Sequence, residues 1–191
     1  SGLTAEMVKA YELQAYAGLL TNVGLEKNEQ HLSKVWLSIP RKFRSEYFLI
    51  DVYVQQLLHF DDHQDSEILL RKAIKKDWDE RLVRLYGLVK GKNLPMQLEF
   101  AEGLLKHHAN DPALLLTLGR LCIKNQLWGK ARSYLEECAE YHKSPELFYE
   151  LAQLLQHQLQ EPELAANYHR LGLALAADPS IVDVHKRLEK S

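Results

Sequence analysis

Asp111-Pro112-Ala113-Leu114-Leu115-Leu116-Thr117-Leu118-Gly119-Arg120-Leu121-Cys122 is where the architecture of this chain becomes legible. After Ile123-Lys124 it continues as Asn125-Gln126-Leu127-Trp128-Gly129-Lys130-Ala131-Arg132. Proline here marks a helix start, because its missing N–H costs nothing in the first turn. Leu115, Leu118, Cys122 and Leu135 fall where a tetratricopeptide (TPR) repeat carries its larger inward side chains. Gly119, Ala131 and Cys138 fall where it carries small ones, so that two helices can approach closely. Pro112, Pro145 and Pro179 each sit at a helix start, and their separations are close to the TPR period of about 34 residues.

The pattern extends in both directions. From Pro145, Phe148, Leu151, Ala152 and Leu155 form a first helix, and Ala165, Tyr168 and Gly172 its partner after one extra loop residue. Upstream, Leu82, Leu85, Tyr86 and Val89 read as another first helix, paired with one from about Pro95 to His108 that turns Ala101 and Leu105 inward. Tyr86 is too large for its small-residue position, and Gly87 beside it is read as relieving the crowding. Tyr47, Ile50 and Val54 face Ser66, Leu70 and Ala73 across the loop 60–64. Thr4 caps the opening helix, whose face is Leu13, Tyr16, Ala17 and Leu20. The next helix is expected from about Leu25 to Ser38, closed by Pro40.

The expected fold is therefore all-α, a single α-solenoid of TPR-like antiparallel helix pairs at 3–40, 44–76, 79–108, 111–142 and 145–177, with a capping helix at 180–190. Composition agrees. The 191 residues hold 36 leucines against 18 valines, isoleucines and threonines together, which disfavours a large sheet. No apolar run is long enough to span a bilayer. A net charge of −2 argues against a nucleic-acid binder. Cys122 and Cys138 occupy inward positions and read as small buried hydrophobes. Asp61, Asp62, Asp65 and Glu67 lead one helix and Arg71, Lys72, Lys75 and Lys76 close it, which suits the helix dipole and reads as a solvated face.

Catalytic patterns fail individually. Gly87 to Asn93 lacks the spacing, the hydroxyl and the preceding strand of a phosphate loop. No nucleophile elbow, zinc-protease motif or dinucleotide fingerprint occurs, so no enzyme activity and no metal site are expected. His59 and His63 are four apart, but they straddle a turn, where the helical face needed to share an ion is lost.

In a TPR stack the first helix of each pair lines the concave side. The lining positions include Arg84 and Lys90, then Arg120 and Lys124, then Tyr149, Gln153, Gln156 and His157. The first two sets offer cations, diluted by Glu80, Glu146 and Glu150. They read as a groove for an acidic peptide, a protein carboxylate or another anion; the competing reading is ordinary solvated helix. The lysine-and-asparagine carboxylate clamp of chaperone-binding TPRs is absent, since its positions hold Val83 and Leu116.

Trp78-Asp79-Glu80-Arg81-Leu82-Val83-Arg84-Leu85-Tyr86-Gly87, the run from Asp111 to Arg132, and Glu12-Leu13-Gln14-Ala15-Tyr16 with Gly18-Leu19-Leu20 together resemble the HemY family of proteobacteria. The resemblance implies two membrane helices preceding a TPR region, and an inner-membrane scaffold associated with haem and porphyrin biosynthesis. It implies that this chain is the soluble part, on the cytoplasmic side, with membrane contact only through segments outside it. Protein partners, haem-biosynthesis enzymes among them, are implied, and no resident cofactor. One alternative is a haem or porphyrin binder, using His157 with Arg84 or Arg120 on the propionates. Another is a general TPR adaptor.

Overall fold

A computed structural model describes residues 2, 4–26 and 28–178. All regular structure among them is α-helical, as the leucine excess predicts. The expected capping helix at 180–190 lies outside the described residues. The chain divides into two compact units, Ser1–Lys92 and Asn93–Ser191.

The first unit contains α1 (Ala5–Leu25), α2 (Glu29–Ser38), α3 (Arg41–Arg44), α4 (Tyr47–His59), α5 (His63–Lys76) and α6 (Glu80–Leu88). Thr4 caps α1 as expected, accepting from the Met7 N–H at 3.2 Å. Ala17 and Leu20 are buried, and Leu13 and Tyr16 half-buried, on its inner face. The second helix starts later than predicted. Leu25 stays in α1, and Asn28 caps α2 by accepting from the His31 N–H at 3.0 Å. An asparagine cap overrides the apolar pattern because it satisfies a helix-end N–H directly. The single turn α3 was not anticipated, as four residues show no helical period. Its Phe43 is buried, with its ring 5.2 Å from that of Tyr16.

The second unit contains α7 (Leu94–His108), α8 (Pro112–Lys124), α9 (Trp128–Tyr141), α10 (Pro145–His157) and α11 (Pro162–Ala177). The predicted span 79–108 holds α6 and α7, which fall in different units. Helices consecutive in sequence pack side by side: α1 on α2 and α4 on α5 in the first unit, α8 on α9 and α10 on α11 in the second. Proline opens α8, α10 and α11, and Asp111 and Ser144 cap the first two of these.

The close approach expected of the small residues is present between α8 and α9. A Cβ added to Gly119 would stand 2.5 Å from Leu135 Cγ, so only glycine lets α8 and α9 meet as they do. Ala131, Leu135 and Cys138 are all buried on α9. Gly172 is looser, since a Cβ there would be 3.3 Å from that of Phe148.

Two turns within pairs share one backbone solution. Leu127 N–H reaches back to Cys122 O at 2.9 Å, and Asp62 N–H to Leu57 O at 3.1 Å, while Gln126 and Asp61 sit at φ 60° and 61°. This is the helix-terminating loop normally built on glycine, here built on side chains that bear the left-handed strain. It also separates His59, the last residue of α4, from His63, the first of α5.

Candidate functional site

Six of the eight predicted groove residues lie in the second unit, on α8 and α10, and two, Arg84 and Lys90, in the first. Each set is positioned by its own unit.

On α8, every residue from Ala113 to Cys122 is buried. Arg120 is among them, only 6% exposed. A guanidinium cannot lose its proton to escape that environment, so it must be paired. Its Nε donates to Glu150 Oε1 at 2.8 Å and one terminal nitrogen donates to Glu146 Oε1 at 2.5 Å. The other, Nη1, is buried without a hydrogen-bond partner. The expectation that Arg120 offers a cation to an acidic ligand is therefore overturned. Two carboxylates four apart on α10 already hold it, and the trio carries a net negative charge. Lys124, one turn later, is half-buried.

The outward face of α10 is different. Tyr149, Gln153, Gln156 and His157 are spaced by four, three and one, which places them along one stripe. Tyr149 is 57% exposed, Gln156 and His157 are exposed, and Gln153 is half-buried. Tyr149 rests edge-on against His169 of α11, ring centroids 6.3 Å apart. The opposite face is anchored by Leu147, Phe148, Leu151, Ala152, Leu154 and Leu155, all buried. The result is a polar, aromatic stripe on a rigid base. It can donate and accept hydrogen bonds and offer a ring for apolar contact, but it carries no fixed positive charge.

In the first unit Arg84 is half-buried on α6. Lys90 is exposed beyond the end of that helix, and its backbone N–H donates to His63 Nδ1 at 3.2 Å. His63 Nε2 lies 2.9 Å from Asp61 Oδ1, so this imidazole ties a loop together. Among the described residues, no three His, Cys, Asp or Glu side chains converge as a metal site would require. Burial pushes the Cys122 thiol up to about 11, which keeps it protonated at neutral pH and a poor nucleophile. Cys138 is buried and its thiol donates to Pro112 O at 3.3 Å.

Sequence reading missed a buried polar cluster in the first unit. Glu67 was assigned to a solvated face, yet it is 8% exposed. Its Oε1 accepts from the Tyr86 hydroxyl at 2.6 Å and from Arg71 Nε at 2.7 Å. Burial, then the hydrogen bond to Glu67, pushes the Tyr86 phenol far above its ordinary value, so it acts as a donor at any physiological pH. The one available signal was Tyr86 itself, an aromatic with a polar tip at a position that should be small.

No protein-family model matches the chain. A 165-residue stretch, 86% of the chain, is 28% identical to Protein HemY of Escherichia coli (strain K12), and equally to Protein HemY of Shigella flexneri. The chain is similar to Protein HemY over most of its own length. This bears out the resemblance drawn from the runs at Trp78 and Asp111. The chain spans 41% of the length of these relatives. No helix among the described residues is long and apolar enough to cross a membrane.

Proposed function

We propose that this chain is a non-enzymatic protein-interaction scaffold of TPR type. In its full-length form it would be tethered at the bacterial inner membrane, with this region on the cytoplasmic side, and would serve haem and porphyrin biosynthesis by holding pathway enzymes or their clients. One observation supports the scaffold reading most directly: the stripe Tyr149, Gln153, Gln156 and His157 stands exposed on a helix whose other face is wholly packed. A partner-binding surface combines such a rigid base with an aromatic anchor and polar groups around it. The pathway rests on the relationship to Protein HemY and on what resemblance to that family implies.

A photo-crosslinking amino acid at Gln156 of the full-length protein, expressed in membranes, should capture discrete protein partners. Tyr149→Ala combined with His157→Ala should reduce that capture by roughly tenfold, as loss of an aromatic anchor does. Undiminished capture in the double variant would remove this face from the interaction. Partners with no part in tetrapyrrole chemistry would leave the scaffold and refute the pathway.

A further inference from the structure

A concavity of about 910 Å³ opens in the first unit between α2, α3, α4 and α5. Its size falls in the range of small-molecule sites, roughly 300–1,000 Å³. Trp36, Ile50 and Ala73 contribute its apolar lining. Trp36 is held flat by Tyr53, the rings stacked 4.2 Å apart and 3° from parallel.

Positive charge enters from two sides. Arg41, Lys42 and Arg44 come from α3, and Lys72 and Lys76, four apart and so on one helical face, from α5. None of these five forms an ion pair with another described residue. Arg44 Nε donates to Ile39 O at 2.9 Å, and Lys42 Nζ lies 4.4 Å over the Phe43 ring, contacts that fix the two stems and leave their charges uncompensated. Their neighbour Arg71 shows the alternative, because it is paired with Glu67. Three carboxylates act on Tyr47 at the rim, those of Asp77, Asp79 and Glu46; Glu46 is paired with Lys9 and Asp79 with Arg81, so neither is spent on the five rim cations. Like charges around a concave, partly apolar surface repel one another and focus a positive potential into it. An anion relieves both effects, and two opposed sets of cations suit a ligand with anionic groups at both ends.

We propose that this concavity binds an organic polyanion with an apolar ring body and at least two anionic groups. The body lies against Trp36 and Ile50; one anionic end meets Arg41 and Lys42, the other Lys72 and Lys76. The site is separate from the α10 stripe and stands or falls without it.

The dye bis-ANS, an apolar biaryl carrying two sulfonates, supplies the test, with neutral N-phenyl-naphthylamine as comparator. Fluorescence titration of the whole chain should show one saturable bis-ANS site. Lys72→Gln with Lys76→Gln, and separately Arg41→Gln with Lys42→Gln, should each weaken it roughly tenfold. The same changes should leave the neutral dye unaffected, and Lys92→Gln with Lys106→Gln should change neither. These side chains are exposed, so the variants should fold, with circular dichroism as the check. Unchanged bis-ANS affinity in either rim variant, or equally tight binding of the neutral dye, would overturn the proposal. So would sedimentation with phosphatidylglycerol vesicles that depends on the same lysines while bis-ANS ignores them, which would assign the rim to a membrane surface.

Discussion

Tyr86 of α6 and Gly119 of α8 each stand where the sequence pattern calls for a small residue, and they meet that demand in opposite ways. Gly119 removes the side chain, and Leu135 fills the space at a distance no Cβ would permit. Tyr86 keeps a large ring, 1% exposed, and sends its hydroxyl 2.6 Å to a buried Glu67 that Arg71 also holds. Such a position thus specifies that two helices must be fitted together, not how. Where the residue is small the fit is steric; where it is large, a polar tip needs a partner, and burial of that partner must be balanced in turn.

Truncation should have the largest effect. Tyr86→Ala should cost about 4 kcal/mol in urea unfolding, from lost ring burial and a buried carboxylate left with Arg71 but without its hydroxyl partner. Gly119→Val should cost about 3 kcal/mol by overpacking against Leu135, which is fully buried and has little room to move. Gly172→Ala should come within about 1 kcal/mol of neutral, because Phe148 needs to yield only slightly and alanine favours the helix. If Gly119→Val proved as mild as Gly172→Ala, the steric half of the contrast would be lost.

Tyr86→Phe isolates the polar half. Removing only the hydroxyl should cost about 1–2 kcal/mol, and Glu67→Gln made in addition should recover part of it. A neutral Tyr86→Phe variant would mean that the ring alone accounts for the fit.

The smallest effect separates the two caps, Asp79 of α6 and Asp111 of α8. The hydrogen bond from Arg81 is the main cause holding the Asp79 carboxyl below the usual carboxylate range. A carboxyl lowered in the folded state stabilises the fold fully above its unfolded value, near pH 4, and that contribution is lost as pH falls through the depressed folded value. Asp79→Asn preserves a capping side chain and removes the charge. It should cost less than about 1 kcal/mol at pH 7, since Arg81 is half in solvent, and the difference from the parent chain should fade below pH 4. A difference constant from pH 7 to pH 3 would show that charge is not what Asp79 contributes.

Much of the fold was legible because it rests on local chemistry. Thr4 announces a helix start that its side chain does cap, Pro112 and Pro145 announce two more, and Gly119, Ala131 and Cys138 announce a close crossing that does occur. Less of the candidate site was legible. The α10 stripe follows from spacing along one helix. The turn at Gln126 was hidden because its left-handed residue is not glycine.

The sequence by itself determined an all-helical chain with helix starts and a close crossing of two neighbouring helices, because caps, helix period and residue size act within a few turns. Only the tertiary structure decided the fate of the charges. Arg120 meets carboxylates 26 and 30 residues away, Glu67 meets a hydroxyl 19 residues away, and five cations from two helices line one concavity with no ion pair among the described residues. Size patterns fix which helices approach, but whether a charge finds a partner depends on where long side chains end after they have done so.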